Sequence, residues 1–313
     1  MDPSSVRFVV LGSGSGGNAS LLQVGSFGLL IDCGFGPRVL ADRLSAHGFS
    51  WRSVSAVILT HTHNDHWHPL TIAHLRTLSI PLYGHQRHHS ALSGREEYQP
   101  LKRAGLTRIF EDGQPCPISD AITAYPARIP HDSYPTFAFR FEAHDQDRQV
   151  NAAIGFASDV GHTTNDLVEL LTDVDLLALE FNHDIEMQRS SGRPALLIER
   201  VLGRHGHLSN AEAATLAGRI RQLSRQRRWQ TLIQLHLSKD CNTPALAQAS
   251  MAPLLAQDPG LSVISASQSI PTPVITLKTP QSREAFRYRK SVQPALPGLG
   301  DGVDLANQAK HDG

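Results

Sequence analysis

The segment at residues 60–66 constrains this chain more than any other stretch of its sequence. It reads THTHNDH, so three imidazoles and one carboxylate fall within six residues, directly after the apolar run at 56–59. Such a run is typical of a buried strand, and α/β sheets place their sites at the carboxyl ends of strands. Because histidine and aspartate are preferred ligands for Zn²⁺, Mn²⁺ and Fe, the segment predicts a metal-binding loop.

The spacing of these four side chains is too tight for one metal ion to use all of them from a loop. It predicts two neighbouring ions, with His61 and His63 on the first and Asp65 and His66 on the second. A histidine-rich surface loop or a purification tag is the alternative. A tag would be terminal and would lack the interleaved aspartate, so we favour the metal loop.

Further residues of ligand type follow later strand-like runs, namely His131, Asp159 and His236. Any one of them alone could be either a ligand or a core residue with satisfied hydrogen bonds. Because all three stand in order behind the metal loop, each at the end of such a run, we expect them to complete the site.

The H-x-H-x-D-H pattern of residues 61–66, followed by these residues, resembles the metallo-β-lactamase superfamily. The resemblance implies an α/β (α+β) fold of the four-layered αβ/βα sandwich type and two divalent metal ions, zinc or manganese, with iron as a further candidate. It implies that the first ion is held by His61, His63 and His131, the second by Asp65, His66 and His236, that Asp159 bridges them, and that the buried Asp32 braces the loop.

The glycine-rich segment at residues 12–18 follows the first predicted strand. A dinucleotide-binding fingerprint would need a helix immediately afterwards, whereas the next residues continue as a strand. A plain turn between strands is the second alternative. We favour a turn whose backbone N–H groups form a phosphate-binding nest together with the side chains of Ser13, Ser15 and Asn18.

Three segments narrow the resemblance to the YycJ/WalJ-type hydrolases, over residues 6 to about 250: GSGSGGN at 12–18, EFNHD at 180–184, and GHLSNAEAA at 206–214 with HLS at 236–238. This family implies a metal-dependent phosphodiesterase that acts as a 5′-to-3′ DNA exonuclease, with DNA as its substrate. Departures at Trp67, His162 and Cys241 put substrate preference in question, not metal binding.

Glu180 and His207 also parallel the Glu and His of tRNase Z-like phosphodiesterases, where the histidine meets the scissile phosphate. On this interpretation His207, steadied by Glu180, protonates the leaving oxygen, and Asp65 orients the attacking hydroxide. The alternative is that His207 only precedes a helix whose cap is Ser209 or Asn210.

The sequence says less about the residues that contact the substrate than about the metal ligands. His183 is either a phosphate contact or a plain loop residue, and Arg204 is placed close to His207 along the chain. Clustered arginines are typical of phosphate contact, but a solvated helix face is the interpretation that we favour for Arg219, Arg221, Arg225, Arg227 and Arg228.

Composition limits the remaining possibilities. The net charge of the 313 residues is zero, so the overall charge of the protein does not indicate a polyanionic partner. The chain has no run of about 18 apolar residues, so no membrane span is predicted. Its three cysteines form no C-x-x-C pair, which favours a reducing compartment, the cytoplasm. We expect one hydrolase domain at 1–279 and a disordered polar tail at 280–313.

Two other function classes stay open. One is a small-molecule hydrolase of the same fold, such as a cyclic-phosphate phosphodiesterase or a thioesterase, and the other is a non-catalytic ligand-binding protein. The complete ligand set argues against the second. The sequence leaves the oligomeric state open, and a homodimer is one possibility. It predicts surface positions for four histidines, His85, His88, His89 and His144.

Overall fold

Two β-sheets pack face to face and carry helices on their outer surfaces in the computed structural model, which describes residues 5–225, 229–277 and Phe286. The strands, in chain order, are β1 (Val6–Gly12), β2 (Ala19–Val24), β3 (Phe27–Ile31), β4 (Ala56–Ile58), β5 (Leu82–Gly84), β6 (Thr107–Ile109), β7 (Cys116–Ser119), β8 (Ile122–Ile129), β9 (Thr136–His144), β10 (Val150–Ala157), β11 (Leu176–Glu180), β12 (Thr231–Leu235), β13 (Ser262–Ser265) and β14 (Ile275–Leu277).

The helices cover the outer faces of both sheets. They are α1 (Pro37–Ser45), α2 (Pro69–Thr77), α3 (Gln86–Leu92), α4 (Tyr98–Arg103), α5 (Asn165–Leu171), α6 (Ile185–Arg189), α7 (Ala195–Leu202), α8 (Asn210–Leu223), α9 (Pro244–Ala249) and α10 (Ala252–Gln257). Within the described ranges, the strand orders are β14-β1-β2-β3-β4-β5-β6 and β13-β12-β11-β10-β9-β8-β7.

The apolar residues separate into one core between the sheets and one under each helical layer. Neighbouring strand residues point to opposite faces, so Ile31 meets Phe139 of the other sheet in the central core, whereas Leu30 packs in the outer core with Leu40 of α1. The second outer core includes Leu216 of α8. The predicted four-layered αβ/βα sandwich is therefore confirmed.

Parallel strands bring the site-bearing loops to one edge of each sheet. In the first sheet β3 pairs in parallel with β4, so the residues that follow these strands, Asp32 and the loop at 60–66, leave side by side. In the second sheet β10, β11 and β12 are parallel neighbours. Their carboxyl ends therefore present Asp159, Glu180 and His236 together.

Three residues at these strand ends adopt left-handed backbone conformations. The φ angles are 59° at Asp32, 60° at Asp159 and 54° at His236. Residues other than glycine rarely occupy this region, and such strained positions persist where the surrounding structure enforces them. The strain coincides with the strand ends that converge on the predicted site.

One histidine that the sequence predicts on the surface is buried. His88 of α3 is 1% exposed, and its Nε2 lies 2.8 Å from the backbone oxygen of Pro135. The prediction is wrong for this residue because α3 turns it inward against Phe110 and Phe137. Burial lowers the pKa of His88 to about 4. The other three histidines of that group are partly exposed.

The tail predicted to be disordered, residues 280–313, lies outside the described residues except for Phe286, so that prediction stays untested. The ring of Phe286 packs 5.4 Å from that of Tyr125, and the Arg140 guanidinium lies 4.6 Å from its centre. Among the described residues, no helix has the length and apolar character needed to cross a bilayer. The cysteines Cys33, Cys116 and Cys241 are buried and free of disulfides.

Candidate metal centre

The seven predicted metal ligands come together between the sheet edges. Their potential ligand atoms fall into three overlapping groups, and within each group all atoms lie within 4.8 Å of one another. These groups are His61, His63 and His131; Asp65, His66 and His236; and His61, His66 and Asp159. A fourth group of this kind contains Glu180 and His207.

The first group contains two buried ring nitrogens that lack hydrogen-bond partners, Nε2 of His61 and Nε2 of His131. In each ring the opposite nitrogen is engaged. Nδ1 of His61 lies 3.0 Å from the Thr60 hydroxyl, and Nδ1 of His131 lies 3.0 Å from the backbone oxygen of Gly206. Buried nitrogens are rarely left unpaired, and ring orientation through the other nitrogen is typical of metal ligands. The residues therefore fit a metal ion.

The second group is oriented by a buried carboxylate. Asp32 Oδ2 lies 2.8 Å from Nδ1 of His66, and Asp32 Oδ1 accepts a hydrogen bond from the Thr60 backbone N–H at 2.8 Å. This leaves Nε2 of His66 facing Asp65 Oδ2 at 3.5 Å, and the same oxygen lies 3.2 Å from Nε2 of His236. Asp32 thus fixes the ring and the loop together.

Asp159 lies between the two groups. Its Oδ2 is 3.2 Å from Nε2 of His66, and its Oδ1 is 3.7 Å from Nε2 of His131 and 3.6 Å from Nε2 of His236. The Ser158 hydroxyl donates to Oδ2 at 2.6 Å. A carboxylate at this position can reach ions in both groups, as the predicted bridging role requires.

The charges of the cluster balance one another. Burial alone would raise the pKa values of Asp65 and Asp159, but the surrounding histidines hold both below the ordinary value. Burial alone would lower the pKa of His236, but Asp159, Asp65 and Glu180 raise it to about 10. A metal ion binding here must therefore displace a proton, so its affinity should depend on pH.

Glu180 and His207 form a buried pair beside these groups. Glu180 Oε2 accepts hydrogen bonds from the backbone N–H groups of Val160 and Leu208 at 2.9 and 3.1 Å, and its Oε1 lies 2.8 Å from Nδ1 of His207. Burial would raise the pKa of Glu180, but His207 lowers it to about 2. Burial would lower the pKa of His207, but Glu180 raises it above its ordinary value.

The His207 ring is held but accessible. It stacks on the His236 ring with centroids 5.3 Å apart, and its side chain is 18% exposed. Ser209 is the cap of α8, in a capping box with Glu212. This cap is the one that the alternative for His207 expects, so what distinguishes His207 from a residue that only precedes the helix is its contact with Glu180.

The glycine-rich loop contacts the metal loop directly. The Ser13 hydroxyl donates to Asn18 Oδ1 at 3.0 Å and accepts from the His236 backbone N–H at 2.8 Å. Nδ2 of Asn18 lies 3.1 Å from Asp65 Oδ2. Ser13 and Asn18 are buried and support the ligands, whereas Ser15 is exposed.

The remaining candidate contacts differ in accessibility. His183 is 1% exposed, and neither of its ring nitrogens has a hydrogen-bond partner. Arg204 is exposed, and its backbone oxygen lies 2.9 Å from Nδ1 of His162. In the arginine run, Arg221 binds the backbone oxygen of Trp229 and the Asp258 carboxylate, which makes it structural; residues 226–228 lie outside the described part.

Sequence reasoning missed several residues that orient the ligands. Asn182 donates to the His236 backbone oxygen at 2.9 Å, and the Thr60 hydroxyl lies 3.1 Å from Nδ1 of His66. Asp132 has a carboxylate oxygen 3.2 Å from Nε2 of His131. A polar residue directly adjoining a predicted ligand was the available signal for Thr60 and Asp132.

Comparison with known proteins identifies relatives in sequence. The family model described as a beta-lactamase superfamily domain matches residues 28–227. The exodeoxyribonuclease WalJ of Streptococcus pneumoniae is 28% identical over 257 residues, which cover 82% of this chain and 91% of the relative. The exodeoxyribonuclease YycJ of Bacillus anthracis is 25% identical over 251 residues, covering 80% of this chain and 89% of the relative.

Solved structures agree in fold. Zn²⁺-bound PqqB from Methylobacterium extorquens superposes with a TM-score of 0.62 at 16% identity, covering 85% of this chain and 99% of the other. A diphosphatase of the PhnP family gives a TM-score of 0.56 at 15% identity, covering 88% and 98%. At such identities the likeness concerns the fold alone. The family match spans more than half of the chain, and the predicted resemblance is confirmed: the chain belongs to the beta-lactamase superfamily.

Proposed function

We propose that this protein is a metal-dependent phosphodiesterase holding two divalent metal ions, and that it degrades DNA as a 5′-to-3′ exonuclease. The observation that carries the proposal is the Glu180–His207 pair beside the metal ligands, with His207 Nδ1 3.7 Å from Asp159 Oδ1. Phosphodiester hydrolysis needs positive charge at the phosphate and a proton for the leaving oxygen. The two relatives named exodeoxyribonucleases support DNA as the substrate.

The proposed ligand sets are those of the sequence prediction, with Asp159 shared between the ions. Imidazole and carboxylate donors suit Zn²⁺, Mn²⁺ and Fe alike, so the donor set leaves the choice between zinc and manganese to measurement. When bound, two such ions would lower the pKa of a shared water and stabilise an in-line displacement at phosphorus.

The side chains of this protein would supply orientation and the proton. Asp65 lies at the open side of the cluster, 18% exposed, where its carboxylate would accept a hydrogen bond from the attacking water. Glu180 is fully buried and fixed by two backbone N–H groups, so it would hold Nδ1 of His207 in a single orientation. The opposite nitrogen of His207 would then donate to the substrate phosphate and protonate the leaving oxygen.

Substrate contacts and location complete the proposal. Ser15 and Arg204 are exposed and would contact the DNA backbone, whereas His183 is 1% exposed and is less suited to such a contact. The buried free thiols of all three cysteines fit a reducing cytoplasm.

The test is an assay after reconstitution with Mn²⁺ or Zn²⁺, using single- and double-stranded DNA labelled at the 5′ or the 3′ end. Bis-p-nitrophenyl phosphate and a cyclic phosphodiester serve as small substrates. Release of 5′ nucleotides from the 5′ end supports the proposal. Cleavage of the small substrates alone would favour the small-molecule hydrolase, and no turnover at all would favour a binding protein.

His207→Ala is the decisive variant. We expect kcat on DNA to fall by about 10²–10⁴-fold, with an unchanged metal content. The loss should be smaller for the aryl phosphate, because its leaving group needs little protonation. His205→Ala, which removes an exposed imidazole two residues away, is the matched control. Parental DNA cleavage by His207→Ala would contradict the proposed role, and loss of one metal ion would make His207 a ligand instead.

A further inference from the structure

We infer that Asp132 supplies an additional carboxylate oxygen to the first metal ion, and that Arg200 holds this carboxylate in place. The inference rests on the metal site of the proposed function. It adds an anionic ligand to the three imidazoles of His61, His63 and His131. It also connects the site to α7, the helix that carries Arg200.

Donor atoms of Asp132, His131 and His63 lie close together at the first metal position. Asp132 Oδ1 lies 3.2 Å from Nε2 of His131 and 3.5 Å from Nε2 of His63. Ligand atoms at about 2.1 Å from one ion, at tetrahedral or octahedral angles, lie about 3.0–3.4 Å from each other. The distance from the carboxylate oxygen to His131 falls within this range, and the distance to His63 exceeds it by 0.1 Å.

The Asp132 carboxylate and the His131 imidazole are close but not hydrogen-bonded to each other. Nε2 of His131 is buried and has no hydrogen-bond partner, although Asp132 Oδ1 is only 3.2 Å away. Because the backbone oxygen of Gly206 can only accept a hydrogen bond, Nδ1 of His131 is the donor in that contact. Nε2 is therefore the ring nitrogen left to bind a cation, and it faces the carboxylate oxygen.

The other oxygen of the Asp132 carboxylate is bound by an arginine. Asp132 Oδ2 accepts a hydrogen bond from Nε of Arg200, whose side chain is 58% exposed while that of Asp132 is 25% exposed. An exposed ion pair contributes little to stability and does not require the second oxygen to face two imidazoles. The arginine instead fixes the outer oxygen, so that Oδ1 stays directed at the site.

The added ligand has a consequence for metal preference. Three imidazoles suit Zn²⁺, whereas carboxylate oxygens suit the harder Mn²⁺. With Asp132 as well as Asp159, the first ion would have two carboxylates beside its imidazoles. Asp132 should therefore contribute more to the binding of Mn²⁺ than to that of Zn²⁺.

The test compares Asp132→Asn and Arg200→Gln with the parental protein in titrations with Mn²⁺ and Zn²⁺. Asp120→Asn, which breaks an exposed aspartate–arginine pair with Arg148, is the control. We expect the Mn²⁺ dissociation constant of one of the two sites, the first, to rise about 10–100-fold in Asp132→Asn, with a smaller rise for Zn²⁺. The signal of coupled Mn²⁺ ions in electron paramagnetic resonance should be lost. Arg200→Gln should weaken Mn²⁺ binding in the same direction but less, and it keeps the inference testable if Asp132→Asn folds poorly.

Parental Mn²⁺ affinity and an unchanged coupled signal in Asp132→Asn would overturn the inference, whether or not DNA is cleaved. Conversely, a parental protein that binds two ions but leaves DNA intact would refute the exonuclease proposal alone. The loss of metal in Asp132→Asn would then still support the ligand role.

Discussion

Replacing Glu180 by glutamine preserves the shape of the side chain but removes its charge at a fully buried position. In the parental protein one oxygen accepts two backbone N–H groups, from Val160 and Leu208, and the other binds His207. A glutamine cannot satisfy both sides. Either its NH₂ group faces two backbone donors, or it faces Nδ1 of His207 and forces that ring to change tautomer.

The cost can be estimated in two ways. The pKa of Glu180 is lowered from 4.5 to about 2, which corresponds to about 3 kcal/mol of stability at neutral pH. Independently, each buried donor left unsatisfied costs about 1–3 kcal/mol. We therefore expect Glu180→Gln to lower the free energy of unfolding by about 3 kcal/mol around neutral pH.

The pH dependence follows from the direction of the pKa shift. A carboxyl group whose pKa is depressed by folding stabilises the protein above its unfolded value, 4.5, and this contribution disappears as the pH falls toward the folded value of about 2. The difference between parental protein and variant should be largest between the unfolded pKa values of the two groups, 4.5 for Glu180 and 6.5 for His207, and it should shrink below pH 4.5. It should also shrink as the pH rises through the raised pKa of His207, because the pair loses its attraction when the imidazole is neutral. In the metal-loaded variant, the buried His207 lacks the Glu180 carboxylate that raises its pKa, so this pKa falls. The alkaline limb of the pH profile of kcat/KM should therefore move to lower pH.

The assay is urea denaturation followed by circular dichroism, with a chelator present so that metal release adds nothing to the difference. Glu186→Gln, at an 85% exposed position of α6, is the control and should change stability by less than about 0.5 kcal/mol. A difference for Glu180→Gln below about 1 kcal/mol would refute the reasoning, as would one that grows below pH 4.5.

Three further substitutions test the metal centre. Asp32→Asn leaves one accepting oxygen where the carboxylate offers one to the Thr60 N–H and another to His66, so it should weaken binding of the second ion about 10–100-fold in a metal titration; unchanged affinity would contradict the orienting role. Gly34→Ala would place a Cβ 1.8 Å from the backbone oxygen of Asp65, so the melting temperature and the metal content should both fall, and parental values would mean that the loop can yield. Asp159→Ala should lose more metal per chain, by elemental analysis, than any single histidine variant; two retained equivalents would exclude bridging.

Much of the fold and of the site follows from local sequence patterns. The helix Asn210–Leu223 starts where the sequence offers a cap, at Ser209 or Asn210, and Ser209 is that cap. The ligands are recognisable for a related reason. Each stands directly behind an apolar run, and a strand followed by a polar residue places that residue at a sheet edge whatever the rest of the chain does.

The tertiary structure alone decided which neighbours each ligand has. His131 is oriented by Gly206, 75 residues away, and the His236 backbone by Ser13, 223 residues away. No local periodicity encodes such pairs, because they exist only once the two sheets have packed together.

The same reason explains the sequence predictions that need revision or addition. His88 belongs to a polar stretch, yet the packing of α3 against Phe137 buries it. Asp132 differs from any surface aspartate only through Arg200 of α7 and the imidazole of His63 across the site. The sequence determines which residues can bind a metal ion, and the packing of distant segments determines how their lone pairs are directed.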